Sequence, residues 1–386
     1  MDSEFLIIGG GVAGLTAAIA LQSIGRDFRL FEQSQLLQGI GAGFGLAANA
    51  MQALEILDLK AEIEQLGYYI DNYNIRSEKG EILFSPDTKR ISEQYSQKNF
   101  AIHRADLHAY LLSKIQRDHI ILGKRAQKLE QEENVVRVFF EDGSVYTAKY
   151  LIIADGVKSR LRQQLVPSST PRYAGYTCWR ATIDNSDIQL DTGFETWGRA
   201  GRFGVTPLVD NRIYWYACVN GKPNSPAFKN TTTNDLWKRF QHYHAPIPKI
   251  LAATQDKNLI WSDIIDIEPL QHLAYHNILI IGDAGHATTP NMGQGACQAI
   301  EDVAVLIDEL KRDKTTVEAF RSFEKRRLAR TRYITETSQQ IGHIAQWENP
   351  YLITLRNTLA KILPNRIKQH SLSKLLSKDF MQINTP

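Results

Sequence analysis

A chain of 386 residues with 43% hydrophobic content can bury a large core, which argues against disorder and suggests two domains rather than one. Its 45 basic and 42 acidic residues leave a formal charge of +3. The two signs are interspersed, so no single-sign field argues for nucleic acid or an anionic membrane as partner. Cys178, Cys218 and Cys297 are odd in number and far apart. That spacing speaks against a disulfide framework or a zinc site and fits a reducing cytoplasm. The apolar run from Phe5 to Leu21 follows Asp2 and Glu4, where a secretory segment carries positive charge, and glycines interrupt it. No stretch reaches the length of a membrane-spanning helix, and no His/Cys/Glu cluster at ligand spacing points to a metal.

In chain order, residues 4–8 form an apolar run ending in glycines. An Ala/Leu/Ile pattern at helical spacing follows over Val12–Ile24, and Phe28–Phe31 reads as a second strand. Helices are expected over Ala47–Leu57 and Arg104–Ile115, the latter with Asp106 in its first turn, where acid favours the helix dipole. Between 119 and 154 the pattern shortens to strands: Val135–Phe140, a turn at Glu141-Asp142-Gly143-Ser144, and Tyr150–Ala154. This reads as a β-meander inserted in an α/β domain.

From Tyr173 to Val219 the chain is rich in Thr, Trp, Tyr, Phe and Val, with turns at residues 191–193 and 209–212, as an antiparallel sheet requires. A helix is expected around Asp235–Tyr243, and Asn277–Ile281 reads as a strand rejoining the first domain. Long helices are expected over 293–311 and 315–340, the second carrying Glu324-Lys325-Arg326-Arg327 on a solvated face. The tail beyond Pro350 is basic and amphipathic, expected as a helix packed on the body rather than on a membrane surface. The domains are therefore drawn as 1–75, 98–170 and 275–335 for a discontinuous nucleotide-binding domain, 76–97 and 171–274 for a second domain, and 336–386 for a C-terminal helical segment.

Two glycine-marked segments carry most of the chemistry. Gly9-Gly10-Gly11-Val12-Ala13-Gly14 lies between a strand and a helix, where glycines permit a tight turn and close approach of a pyrophosphate. Glu32, with Gln33 beside it, ends the next strand 18 residues after Gly14 and can accept hydrogen bonds from ribose hydroxyls. This segment alone does not separate FAD from NAD.

The second segment does. In Ile280-Ile281-Gly282-Asp283-Ala284-Gly285-His286 a strand delivers a carboxylate to a glycine turn, where it can bond the polyol of a flavin. The helix starting near Gly293, Gly295 and Ala296 offers unpaired amides and a positive dipole end to a negatively charged reduced flavin. A third piece, Asp155-Gly156-Val157-Lys158-Ser159-Arg160-Leu161-Arg162, follows the strand Leu151–Ile153; taken alone, Asp155 there could simply cap the next helix.

These three motifs, in this order and at these separations, resemble the single-component FAD-dependent aromatic hydroxylases of the p-hydroxybenzoate hydroxylase fold, over about residues 4 to 340. The resemblance implies an α/β fold: a Rossmann-like FAD-binding domain, an inserted antiparallel β-sheet substrate domain and C-terminal helices. It implies bound FAD, NADH or NADPH as co-substrate, and dioxygen adding at the flavin C4a position before one oxygen reaches a small aromatic or heteroaromatic ring. It also implies that Asp155 serves both FAD and NAD(P)H, that Asp283 holds the ribityl chain, that Arg104 of His103-Arg104-Ala105-Asp106-Leu107 contacts the flavin, and that Ala126 lies beside the adenosine.

Within that family, Arg172-Tyr173-Ala174-Gly175-Tyr176, the run 201–207 and Tyr214 resemble the urate hydroxylase and zeaxanthin epoxidase-like branch. The resemblance implies substrate contact for Arg202 and Tyr214. A sheet-edge salt bridge for Arg202 and core packing for Tyr214 are the alternatives. The chain departs from the urate enzymes at Cys178, where they carry asparagine, since a thiol cannot copy an amide's paired donor and acceptor. His286 is expected to serve loop structure rather than acid/base chemistry. A flavin halogenase, an isoprenoid reductase and a non-enzymatic flavin-binding protein are the competing readings; a monomer and a homodimer stand equally open.

Overall fold

The computed structural model describes residues 1–37, 43–70, 73–85, 99–362, 375–376 and 378–381. The chain opens as β1 (Ser3–Ile8), α1 (Val12–Ser23) and β2 (Phe28–Phe31), the predicted strand, helix, strand unit. Next come β3 (Gly43–Leu46), α2 (Ala48–Ile56), β4 (Gly67–Tyr69), β5 (Tyr73–Ser77), β6 (Ile82–Phe84), β7 (Phe100–His103) and α3 (Arg104–Ser113). A short β8 (Ile120–Ile121) leads into the meander of β9 (Ala126–Glu132), β10 (Val135–Phe140) and β11 (Val145–Ile153).

Beyond α4 (Arg160–Leu165) come four long strands, β12 (Arg172–Asp184), β13 (Gly193–Gly198), β14 (Gly201–Leu208) and β15 (Arg212–Asn220). Then follow α5 (Thr233–Phe240), α6 (Ile247–Ala252), β16 (Ile260–Asp266), β17 (Ala274–Tyr275) and β18 (Ile278–Ile280). Three helices close the described chain: α7 (Gly295–Leu310), α8 (Thr316–Ala345) and α9 (Pro350–Ile362).

The first sheet runs β17-β18-β11-β1-β2-β8. β11 is long enough to serve two partners: Val145–Ala148 pairs antiparallel with β10, and Leu151–Ile153 pairs parallel with β18. That division lets a strand from the far end of the chain lie two places from β1. Phe5–Ile8, Leu151–Ile153 and Ile278–Ile281 are buried, and α1 and α7 pack against them. Strands buried on both faces read as continuous apolar runs, which is why the sequence announced them.

The second sheet runs β16-β12-β15-β14-β13-β5-β6, antiparallel except for the parallel β13–β5 pair. The β14–β15 turn has Asp210 at φ 57° and Asn211 at φ 52°, the two-residue geometry that matches strand twist. Side chains alternate between faces. One face, with Trp179, Phe194, Phe203, Val205, Ile213 and Trp215, is dry core under Leu236, Phe240, Ile247 and Ile250. The opposite face carries Tyr176, Cys178, Arg180, Arg202, Tyr214, Tyr216 and Cys218, which are cross-strand neighbours in register. A three-stranded sheet, β3-β7-β4, lies against it.

Two expectations are corrected. The segment 324–327 is not a solvated face: Arg326 and Arg327 are 2% and 0% exposed. Glu324 accepts from the backbone N–H groups of Leu273 and Ala274, which leaves Lys325 the exposed member. Charge suggested a surface, but these arginines meet buried carboxylates from α7 that lie far away in sequence. The C-terminal helix does sit on the body, though not through its leucines. Arg356 is buried, donating to Ala345 O at 2.9 Å and lying over the Trp197 ring at 5.3 Å, whereas Tyr351, Leu352, Leu355, Leu359 and Ile362 remain exposed.

Candidate functional site

The glycines after β1 bring backbone together more closely than side chains would allow. Gly9 has φ +111°, and a Cβ there would stand 2.3 Å from Ala154 O; a Cβ on Gly14 would stand 1.9 Å from Gly9 O. The turn therefore closes tightly and sets the N-terminus of α1 over the carboxyl ends of β1 and β11. Gly11 caps that helix without a side-chain bond and has open space around it. The amides of Val12, Ala13 and Gly14 are those that a helix start leaves unpaired, which suits an anion.

Glu32 ends β2 beside this turn. Its carboxylate accepts from Gly10 N–H at 2.7 Å and from Ser34 N–H at 2.9 Å, so it is fixed in place with lone pairs remaining. Gln33 next to it is exposed. Lys124 N–H donates to Glu32 O at 2.8 Å, which ties the start of the meander, and with it buried Ala126 two residues on, to the same end of the sheet. His108 on α3, which sequence reading missed, bonds Gly10 O through Nε2 at 2.8 Å. No spacing rule would have found it, because a tertiary contact alone brings α3 to the turn.

The second glycine segment meets the first. A Cβ on Gly282, whose φ is +58°, would lie 2.7 Å from the Ala13 Cβ. Asp283 begins a single helical turn, Asp283–His286, and its Oδ1 lies 3.8 Å from where a Cβ on Gly295 would stand. The residue is exposed, with its carboxylate beside the start of α7. Although its surface is exposed, the protein packed around it pushes its carboxyl above the ordinary range, with His286 and Arg104 opposing. Arg104 itself is exposed at the start of α3. Gly293 (φ +62°) is surrounded by open space, and α7 begins at Gly295 and Ala296 with no side-chain cap and no acid in its first turn. Its positive end is thus unopposed toward the cleft.

Behind Asp283 lies a buried ionic network. Asp302 accepts from Gly282 N–H at 2.8 Å, His286 Nε2 at 2.6 Å and Arg327 Nε at 2.7 Å. Arg327 also donates to Glu301 at 2.6 Å. His286 is 5% exposed and bound to Asp302, so it supports the loop, as expected from sequence.

The third motif divides its labour. Ser159, not Asp155, caps α4 by accepting from Arg162 N–H at 3.0 Å. The Asp155 carboxyl has one buried oxygen without a partner and is raised to about 6 by desolvation, against the pull of Ser159 and Arg162. Arg162, fully buried, donates to Val157 O at 2.8 Å, Ser169 O at 2.9 Å and Ala284 O at 3.1 Å. It locks the Asp155 loop to the Asp283 turn.

Across the cleft stands the polar face of the second sheet. Tyr176 OH donates to Asn291 Oδ1 at 3.0 Å, beside Gly293. Tyr214 is half-buried and lies against Gly43; it points away from the Trp215 core and packs against the small buried cluster of Ile70, Ala101 and Leu208. Arg202 sits on β14, inside the sheet rather than at an edge, with Glu195 at 3.2 Å and Gln346 Oε1 at 2.9 Å. Tyr73 OH and Tyr216 OH are 3.2 Å apart.

The FAD binding domain model matches residues 2–338. The chain belongs to that family. It is an FAD-dependent monooxygenase. Aurachin C monooxygenase/isomerase of Stigmatella aurantiaca is 33% identical over 359 residues, 93% of this chain and 94% of that protein. The 2-heptyl-3-hydroxy-4(1H)-quinolone synthase of Pseudomonas aeruginosa is 30% identical over 378 residues, 96% and 97% of the two chains. The structure of Klebsiella pneumoniae HpxO complexed with FAD and uric acid superposes with a TM-score of 0.89 at 26% identity, covering 97% of this chain and 96% of that one. The Rossmann-like FAD domain and inserted sheet expected of this flavin monooxygenase are thus shown, as are FAD and NAD(P)H as its cofactor and co-substrate.

Proposed function

We propose that this monooxygenase hydroxylates a small oxygen-bearing aromatic or heteroaromatic ring, seated between the tyrosine-rich face of the second sheet and the FAD that the two glycine turns would hold. The observation that carries this reading is the convergence of Gly11, Asp283, Arg104 and Gly293 on one side of the cleft with Tyr176, Tyr214 and Tyr216 on the other. The chain's own residues fit FAD. Gly9, Gly11, Val12, Ala13 and Gly14 take the pyrophosphate, Glu32 and Gln33 the ribose, and Ala126 the adenosine side. Asp283 takes the ribityl hydroxyls, Arg104 and Asp155 the flavin and its reductant, and Gly293, Gly295 and Ala296 the reduced ring.

Bound FAD supplies reduction by NAD(P)H and activation of dioxygen. The protein orients and desolvates. The α7 dipole and Arg104 favour negative charge in the cleft, and Arg202 and Tyr214 shape the surface against which the ring rests. The relative named a 2-heptyl-3-hydroxy-4(1H)-quinolone synthase makes a 4-quinolone the first substrate to test, and the departure at Cys178 disfavours urate. We assign the enzyme to the cytoplasm, because its three cysteines are free thiols, as a reducing compartment requires. No described helix is long and apolar enough to cross a membrane.

The test is a screen of ring compounds for stimulated NADH and NADPH consumption, with product mass checked for one added oxygen. Flavin-loaded enzyme that no ring compound stimulates would refute the reading.

A further inference from the structure

On the cleft-facing side of the second sheet, the guanidinium groups of Arg202 and Arg180 stand in contrasting surroundings. Arg202 is paired: Glu195 stands 3.2 Å from it, Gln346 accepts from Nε, and the Tyr176 ring lies under it at 5.2 Å. Arg180 is not. It lies on the neighbouring β12, opposite Tyr216 on β15 and Ile260 on β16, with Nη2 donating to Ser262 Oγ at 2.7 Å. Its Nε is buried without a hydrogen-bond partner, and among the described residues no carboxylate lies within ion-pair distance of it.

Two residues along the same face of β12, Thr182 Oγ1 is likewise buried and unpartnered, and it stands opposite Tyr214. The acidic group beside Arg180 is the Cys178 thiol, two residues back on the same face, which leaves Nε unmet; a buried donor without a partner is costly, as is an orphaned hydroxyl. Such a pair is retained at low cost where a ligand or an ordered water completes it, and two orphans side by side on one face suit a ligand oxygen. Guanidinium donors select oxygen that is negative or strongly accepting, whereas a threonine hydroxyl can donate or accept.

We propose that Arg180, with Thr182 beside it, is the anchor for the oxygen of the substrate ring, whether a ring carbonyl or a phenolate, and that Arg202 is committed to its own ion pair. This deepens the monooxygenase reading and rests on it. An oxyanion held at Arg180 raises electron density at the ring carbons ortho and para to it, where electrophilic oxygen transfer occurs. The site therefore selects the ring by its oxygen and presents the activated carbon to the flavin side. Tyr214 and Tyr216 flank it on β15 as apolar walls with polar tips.

The experiment uses FAD-loaded enzyme and two pairs of probes: 4-hydroxyquinoline against quinoline for the carbonyl arm, and 2-naphthol against naphthalene for the phenolate arm. Binding is read from flavin difference spectra, and turnover from NAD(P)H consumption and product mass. Arg180→Gln is expected to weaken the oxygen-bearing member of the favoured pair about tenfold or more, with the oxygen-free partner changed by less than about twofold. Arg180→Lys recovers part of the loss, and FAD content stays at the wild-type level.

Equal loss for both members of a pair would show a structural role and overturn the proposal. Wild-type affinity in Arg180→Gln would overturn it as well, as would a parent enzyme that binds neither oxygen-bearing probe. If the parent binds 4-hydroxyquinoline through Arg180 but forms no oxygenated product, the anchor stands and the quinolone substrate assignment fails.

Discussion

Asp302→Ala removes three hydrogen bonds at once: from Gly282 N–H, His286 Nε2 and Arg327 Nε. All of them lie in a region closed to water, since Asp302 is 0% exposed. Breaking one partner out of a buried ion pair costs about 3–5 kcal/mol. Arg327 keeps Glu301 and the Gln298 side chain, so the lower end, about 3 kcal/mol, is expected for global stability. The Gly282 turn also loses its tether, and Asp283 with it. Releasing one or two hydrogen bonds that fix a cofactor-binding side chain is worth about 1–2 kcal/mol, so FAD affinity should fall about 5- to 30-fold.

Denaturant unfolding of the apoprotein and FAD titration by flavin fluorescence measure the two effects separately. The acid limb offers a third measurement. Burial alone would raise the Asp302 carboxyl, but His286, Arg327 and Gly282 N–H outweigh it and hold the group below its ordinary range. A depressed carboxyl contributes stability above its ordinary pKa and loses it as pH falls through the lower folded value. The parent should therefore lose this contribution below about pH 4, and the variant should show a flatter acid limb. A variant that keeps parental FAD affinity and unfolds within about 1 kcal/mol of the parent would refute the network's role in holding the turn.

Asp155→Asn should stabilise the apoprotein above pH 6. A carboxyl raised to about 6 favours the fold at low pH and withdraws stability as pH rises through that value, by about 2–3 kcal/mol; melting curves from pH 4 to 8 that run parallel for both proteins would exclude this. Gly14→Ala sets a Cβ 1.9 Å from Gly9 O, so the purified protein should emerge largely without flavin, read from its absorbance. Asp283→Ala is expected chiefly to weaken FAD retention, whereas Arg202→Ala retains FAD and loses coupled product; equal flavin loss in both would dissolve that division of labour. Arg356→Ala should release α9 from Trp197 and the end of α8 at a cost of about 2–3 kcal/mol, seen as earlier proteolysis of the tail without loss of FAD.

Much of the nucleotide half was legible because its signals are local. Phe5–Ile8 and Ile278–Ile281 announced themselves as apolar runs, Gly9 and Gly14 as backbone that no side chain would permit, and Glu32 as the acid at the end of the next strand. What stayed hidden depended on contacts between distant segments. Arg326 and Arg327 look like surface charge until α7 supplies their carboxylates. His108 is an ordinary helical histidine until α3 packs beside Gly10, and Arg162 is merely the last letter of a motif until Ala284 O comes within 3.1 Å.

By itself, the order of residues determined the flavin-binding frame, since glycine spacing, strand hydrophobicity and a carboxylate after a strand are properties of short segments. It also announced an antiparallel sheet over residues 173–219, but not which face of it is apolar. Only the tertiary structure decided which guanidinium on the other face is neutralised and which is left open. That difference turns on Glu195 lying 3.2 Å from Arg202 while, among the described residues, no carboxylate lies within ion-pair distance of Arg180, and counter-charge in a low-dielectric environment is set by spatial neighbours rather than by sequence neighbours.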